Sequence, residues 1–422
     1  MITLKGNIHN GSLIIPASKS QTIRAFLIAT FAKGESKVIN PLLSSDTEAC
    51  IKACRALGAK ITFSPDNSYA LVDPSNVDVK CKSLVIDTMN SGTTTYLIYG
   101  LLATLGAKEI TLTGDEQLNR RPILPLVNAY RELGVNASLE GETPPVTITG
   151  ALIGGSCSIE CRTSQYLSSL LLSLPLAKEN SKVDCPLLYE KPYVEITLSW
   201  LNKQGIKYTI SDDLQHVAVE GRQHYTGEEM MVTGDFSSAA FFFAAAAISG
   251  KSITVTGLDR NDPQGDKEFL PLLEKMGCTV SWDGYAVTVK GPKELKCASF
   301  DLNSMPDILP ILSVVCLAAK GESKIYNVSQ ARIKETDRIR CMADNLSALG
   351  AEVSELEDGL VIKGSGSIIG GNAKGYGDHR IIMALAIASI IADEGITIDD
   401  ERACSVTFPS FFTLFNSLKD NL

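Results

Sequence analysis

Histidine is scarce in this chain. The four residues, His9, His216, His224 and His379, are scattered without HxxH or HExxH spacing, which argues against a histidine-built zinc centre. Eleven cysteines include no CxxC pair, and the i,i+4 pairs Cys50/Cys54 and Cys157/Cys161 do not make a disulfide framework. The odd total points to reduced thiols and so to the cytosol. No apolar run reaches the ~20 residues a membrane span needs. The longest, residues 239–248 and 381–392, suit buried core helices. Excess positive charge is missing too: the formal net charge is −9, and the basic residues are dispersed, which argues against a nucleic-acid binder. The opening M-I-T-L-K-G-N-I-H-N has no charged segment followed by an apolar run, so no signal peptide is expected.

What the chain does have is length, apolar content and repetition. Its 422 residues, 45% apolar, can bury a large core in two or three domains. One phrase recurs, a helix end, a glycine and an alternating strand, at Gly58, Gly134, Gly205, Gly277 and Gly350, spaced by 76, 71, 72 and 73 residues. Each glycine suits the left-handed position just beyond a helix. A second series keeps step with it. Apolar helices are predicted to start near Ser20, Ser91, Ser164, Ser237, Asp307 and His379; being apolar nearly all round, they belong inside, and the more charged helices before the glycines belong outside.

The chain therefore reads as six units of about 70 residues, each an α/β unit with a buried helix, an outer helix and several strands. The sixth lacks its glycine-strand phrase, and the strand at Thr3 and Leu4 is expected to complete it. Six units split three and three, with a polar crossover over residues 220–231 and a second over residues 12–18. The expected domains are 1–14 with 231–422, and 15–230, with the active site in the cleft between them.

The helix entrances share a chemistry. The first is P-A-S-K-S-Q-T-I-R over residues 16–24, with a strand predicted over 12–15 and an apolar helix over 23–32. The others are N-S-G-T-T (90–94), T-S-Q (163–165), G-D-F-S-S (234–238), P-D (306–307) and G-D-H-R (377–380). A helix start offers unpaired N–H groups and partial positive charge to an oxyanion. Ser, Thr and Asp also serve there as plain caps, and at any single entrance that reading stays open. Lys19, Arg24 and Arg380 are different, because a cation at a helix start opposes the dipole unless an anion lies between. Arg121, before Pro122, and the cluster Arg332, Lys334, Glu335, Asp337 and Arg338 add charge; in one helix Lys334 and Arg338 would be like-charged i,i+4 neighbours. Together these groups suit small, multiply anionic substrates.

Taken in order, P-A-S-K-S-x-x-x-R, N-S-G-T, the R-P at 121–122, T-S-Q, the K-P-Y at 191–193, G-D-x-S-S, K-E-T-D-R and G-D-H-R resemble the 5-enolpyruvylshikimate-3-phosphate synthase family over the whole chain. The resemblance implies a two-domain inside-out barrel of six βαβαββ units, three per domain in pseudo-threefold arrangement. It also implies transfer of the carboxyvinyl group of phosphoenolpyruvate to the 5-hydroxyl of shikimate 3-phosphate, by a cytoplasmic monomer without metal, organic cofactor, nucleic acid or membrane. By the same resemblance Lys19, Ser20, Arg24, Thr163, Ser164, Gln165, Tyr193, Asp307, Gln330 and Lys334 would hold shikimate 3-phosphate. Lys19, Gly92, Arg121, Gln165, Arg338 and Arg380 would hold phosphoenolpyruvate. Lys19, Asp307 and Glu335 would be catalytic, Asp307 as base and Glu335 as acid.

Four positions depart from the family pattern. Tyr96 stands where arginine is usual, Val406 where lysine is usual, Glu190 where serine is usual beside shikimate 3-phosphate, and Ala17 replaces glycine. A lost charge partner weakens anion binding, and Glu190 would bring a carboxylate to a phosphate ester unless it turns away. Two further readings follow from these losses: a paralogue with altered or weakened substrate use, and a non-catalytic anion-binding protein. The related UDP-N-acetylglucosamine enolpyruvyl transferases differ at Lys19-Ser20 and carry a loop cysteine that this chain does not show.

Overall fold

The computed structural model describes residues 1–77 and 83–419. Twelve α-helices stand among them: α1 Lys19–Thr30, α2 Ser45–Ala56, α3 Gly92–Thr104, α4 Leu124–Glu132, α5 Ser164–Ser173, α6 Lys191–Lys203, α7 Phe236–Ser249, α8 Phe269–Lys275, α9 Leu309–Ala318, α10 Arg338–Ala348, α11 His379–Ala388 and α12 Phe411–Ser417. The odd-numbered helices are the predicted apolar series, and they are buried on every side. In α3 all residues but Thr104 are buried, and in α11 all are. The even-numbered helices α2 to α10 each bury one face and end on a glycine of the repeat.

Those five glycines carry φ of 110, 88, 66, 105 and 93°. At each, the glycine N–H donates to the carbonyl three residues back and the next N–H to the carbonyl five residues back, as in Gly58 N–H to Arg55 O (3.0 Å) and Ala59 N–H to Cys54 O (3.1 Å). This double closure satisfies two carbonyls that a helix end leaves open, and it needs the left-handed conformation that glycine adopts without steric cost. It also turns the chain straight into the following strand.

The chain forms two compact units, Ala17–Thr233 and Met1–Pro16 with Gly234–Leu422. In the first, Ser83–Asp87 runs parallel to Glu109–Thr113, which is antiparallel to Val146–Thr149, with Asn136–Leu139 outermost. Gly155–Cys161, Ser181–Leu188, His216–Val219 and Tyr208–Ile210 repeat that order. The third sheet of this unit takes its parallel strand from far along the chain, Glu229–Met231 on Ser36–Ile39.

The second unit builds its sheets the same way. Ser299–Asp301 pairs with Gly321–Tyr326 in parallel, and Gly359–Gly364 and Glu352–Leu356 complete that sheet. Gly11–Ile14 lies parallel to Ser252–Thr256, and Ile2–Leu4 lies antiparallel to Ile396–Ile398. Each unit has one continuous apolar core. In the second it includes a knot of aromatic rings, with Phe242, Phe408 and Phe411 at centroid separations of 5.7 to 6.1 Å. This is the mixed α/β architecture expected from the repeat.

Two local expectations need correction. The first buried helix runs Lys19–Thr30 rather than 23–32: Ser18 is its cap, Thr30 folds its hydroxyl back onto Phe26 O (2.7 Å), and Ala32–Lys33 pairs with Tyr225–Thr226. Nor do Lys334 and Arg338 share a helix. A 3₁₀ turn covers Ser329–Ile333, and α10 starts at Arg338 because the Asp337 carboxylate accepts the Arg340 N–H (3.0 Å).

The glycines should not tolerate alanine equally. At Gly205 a Cβ would meet nothing within 4 Å, so Gly205→Ala should cost about 1 kcal/mol for the left-handed backbone alone. At Gly58, with φ +110°, a Cβ would run into the Asn76 carbonyl, and Gly58→Ala should cost about 3 kcal/mol or more. Denaturant titration of the two variants measures the gap, and equal losses would refute the account.

Candidate active site

In the Ala17–Thr233 unit, three buried-helix entrances bring together the residues singled out from the sequence. Lys19, at the first residue of α1, holds the Asp46 carboxylate at 3.0 Å, and both side chains are largely buried. Arg24 lies one turn further in and is 1% exposed. Its guanidinium donates to Thr197 Oγ1 (2.8 Å), Ser20 O (2.9 Å) and Tyr193 O (3.2 Å), tying α1 to α6. Burial lowers its pKa to about 10, so it remains charged at neutral pH. Arg24 is thus a strut behind Tyr193 and Ser20.

At α3, Ser91 caps the helix by accepting the Thr94 N–H, and Asn90 Oδ1 accepts from Arg121 Nη2 at 2.8 Å. A Cβ on Gly92 would come 2.6 Å from Arg121 Nη1, so glycine is what lets the guanidinium lie against the helix start. Tyr96, standing where arginine is usual, is 6% exposed. Its hydroxyl donates to Pro122 O (3.0 Å), and so does that of Tyr166 (2.7 Å), the two rings meeting edge to face at 5.4 Å. The two hydroxyls clamp the backbone beside Arg121.

At α5, Thr163 is the cap, and Ser164 presents its N–H and hydroxyl at the helix start. Both donate to one oxygen of Glu190, at 3.2 and 2.9 Å. Gln165 Oε1 is buried there without a hydrogen-bond partner among the described residues.

In the other unit the charges are denser. Arg338 is 1% exposed and meets three carboxylates: Asp378 through Nε (2.8 Å) and Nη2 (3.2 Å), Asp307 through Nη1 (2.7 Å) and Glu335 through Nη2 (2.6 Å). Arg380 Nη2 takes the other Asp307 oxygen at 2.9 Å. Asp378 also caps α11 by accepting the Arg380 backbone N–H (2.9 Å), so one carboxylate holds the Arg338 guanidinium and the start of the helix that carries Arg380. Burial by itself would raise the Asp307 carboxyl, but Arg380, Arg338 and Lys334 outweigh it and hold the group far below the usual carboxylate range. Gln330 donates to Asn303 O at 2.9 Å. Arg338, Arg380, Asp307, Glu335 and Lys334 therefore share one array, and no group of metal-ligating side chains occurs among the described residues.

Sequence reasoning did not single out Asp46 or Asp266, and it took in Asn90 and Asp378 only as part of their helix-entrance motifs. Asp46 and Asp378 look like ordinary residues of a helix start, and nothing local shows that their partners are Lys19 and Arg338. Asp266 accepts from the Ser237 hydroxyl at the entrance of α7. Burial, with Asp307 nearby, lifts its pKa to about 7.

His379 gives a direct electrostatic test. It is buried, neither ring nitrogen has a hydrogen-bond partner among the described residues, and burial drops its pKa to about 3. An unfolded histidine takes its proton near ~6.5, so between there and 3 the unfolded state binds more protons and stability rises with pH. Asp266 has the opposite slope, keeping its proton up to about 7 when folded. In His379→Asn the rising slope is gone, so the native chain's stability advantage over the variant should shrink by up to about 1.4 kcal/mol per pH unit as pH falls from 6.5 to 4. Urea titrations across that range measure it, and parallel stability curves would contradict a buried neutral imidazole.

Known proteins resemble this chain over nearly its whole length. The EPSP synthase (3-phosphoshikimate 1-carboxyvinyltransferase) family matches over residues 5–415. The 3-phosphoshikimate 1-carboxyvinyltransferase of Ruminiclostridium cellulolyticum is 44% identical over 405 residues, 95% of this chain and 94% of that protein. That of Methanocaldococcus jannaschii is 34% identical across 100% of this chain and 99% of its own length. The solved structure of EPSP synthase from Acinetobacter baumannii superposes with a TM-score of 0.82 at 27% identity, covering 99% of this chain and 97% of that one.

Proposed function

Because the chain belongs to the EPSP synthase family, we propose that the residues at its helix entrances bind phosphoenolpyruvate and shikimate 3-phosphate and catalyse their condensation. The reaction moves the carboxyvinyl group of phosphoenolpyruvate to the 5-hydroxyl of shikimate 3-phosphate and releases phosphate. Shikimate 3-phosphate falls to Lys19, Ser20, Thr163, Ser164, Gln165, Tyr193, Asp307, Gln330 and Lys334, with Arg24 setting Ser20 and Tyr193. Phosphoenolpyruvate falls to Lys19, Gly92, Arg121, Gln165, Arg338 and Arg380.

The observation that carries this reading is the pairing of three of the key cations with carboxylates: Lys19 with Asp46, Arg380 with Asp307, and Arg338 with Asp307, Glu335 and Asp378. Desolvated cations need anions, and the protein's own carboxylates supply them. Substrate phosphate and carboxylate groups then compete for the same arginines. As they do, Asp307 loses the charges that depress it and becomes a better base for the 5-hydroxyl proton. Glu335, leaving Arg338, can take a proton and deliver it to the methylene carbon of phosphoenolpyruvate, making C2 electrophilic. Oxygen attack at C2 forms a tetrahedral adduct. Loss of phosphate, with return of a methyl proton to the protein, then regenerates the vinyl group. The arginines and Lys19 act chiefly by holding two anions that repel in water.

No helix among the described residues is long and apolar enough to cross a membrane. The ten described cysteines are free thiols, which supports a reducing, cytoplasmic setting, and we propose a monomer as the working form.

The test is a coupled phosphate-release assay. Phosphate should appear from phosphoenolpyruvate only when shikimate 3-phosphate is present, and no release with both together would overturn the assignment. Tyr96 and Val406 replace two usual cations, so the KM for phosphoenolpyruvate should be high. Val406→Lys should lower it about tenfold, roughly the worth of one charge-assisted hydrogen bond.

A further inference from the structure

Glu190 occupies an unusual position in the Ala17–Thr233 unit. It is the cap of α6, yet its backbone is left-handed, with φ 58° and ψ 41°, a conformation that costs a β-carbon-bearing residue energy. The side chain is 1% exposed and turns away from its own helix to the start of α5. One carboxylate oxygen there accepts from the Ser164 N–H (3.2 Å), the Ser164 hydroxyl (2.9 Å) and the Thr163 hydroxyl (3.4 Å). A ten-residue helix start with two hydroxyls is a seat for an oxyanion. In this molecule a tethered carboxylate fills it.

We propose that Glu190 is an internal stand-in for the phosphate of the acceptor, holding the seat at α5 in the free protein and being expelled when the acceptor binds. The inference rests on the reading above that Thr163 and Ser164 receive that phosphate. The geometry makes the competition direct, because the three donors that would hold a phosphate oxygen are the ones Glu190 engages. Nor can the two anions lie side by side in a buried site without repulsion. A tethered anion is present at high effective concentration, so it excludes free anions that bring no other contacts. Inorganic phosphate, the product of the reaction, is one of them. The full acceptor can still enter, since its ring hydroxyls and carboxylate add contacts elsewhere. Glu190 is thereby a specificity-determining residue: it trades acceptor affinity for rejection of bare phosphate.

Equilibrium binding of inorganic phosphate to the full chain, by calorimetry, tests this without depending on turnover. Glu190→Ser should bind phosphate at least about tenfold more tightly than the native protein, the effect of freeing charge-assisted donors. Glu190→Gly, which accepts the left-handed backbone freely, should do the same and guards against a misfolded serine variant. In kinetics both variants should show a lower KM for shikimate 3-phosphate, and stronger inhibition by added phosphate. Unchanged or weaker phosphate binding in both variants, each with a native-like thermal transition, would overturn the proposal. So would a raised KM for the acceptor, since it would mean that Glu190 holds the acceptor rather than opposes it. A native protein that fails to turn over shikimate 3-phosphate, while Glu190→Ser gains phosphate affinity, would refute the assigned reaction and leave the stand-in role supported.

Discussion

A helix that is buried end to end must find partners for the N–H groups at its start, and that constraint governs this molecule. Six helices run through the two cores, and the starts of four of them are capped by the chain's own hydroxyls and carboxylates: Ser91 on α3, Thr163 and Glu190 on α5, Asp235 on α7, Asp378 on α11. Lys19, Arg338 and Arg380, gathered at such places, are neutralised by carboxylates of the chain. Nothing charged and buried in the described array stands alone, and so a site suited to anions persists in a chain whose net charge is −9.

This arrangement explains how one set of groups can serve stability and chemistry together. Arg338 with its three carboxylates is a buried network, and removing one member would strand the others at a cost of about 3 to 5 kcal/mol. The network is nonetheless convertible, because a substrate carboxylate or phosphate offers the arginines the same kind of acceptor. In the mechanism proposed above, what changes on exchange is the state of Asp307 and Glu335, which arginine holds in the free protein and which would carry protons once released. The tyrosine pair at Pro122 shows a different economy, in which two hydroxyls fix the backbone next to Arg121.

Much of the fold could be read from the sequence because the repeat is written in local chemistry. A left-handed glycine after a helix is required by backbone sterics, so Gly58, Gly134, Gly205, Gly277 and Gly350 announce themselves. The apolar helices did so by having no polar face. What could not be read were relations between distant residues. Asp46 lies 27 positions from Lys19 and Asp378 lies 40 from Arg338, and neither has a local signature beyond that of a cap. The segment around Lys334 misled for a related reason: its charges suit a helix face, but the Asp337 cap delays the helix to Arg338. Glu190 stood out as an odd residue, while its direction depended on a left-handed bend that composition does not reveal.

The pairing of Thr3 with Thr397 has a consequence for how the molecule is made. A ribosome delivers the opening strand first, yet its neighbour in the sheet emerges almost four hundred residues later. During translation the segment over Ala17–Thr233 can assemble as soon as it clears the exit tunnel, whereas the opening strand must wait. Maturation of the other half is therefore a late event, set by the emergence of residues 396–398 rather than by the speed of local folding.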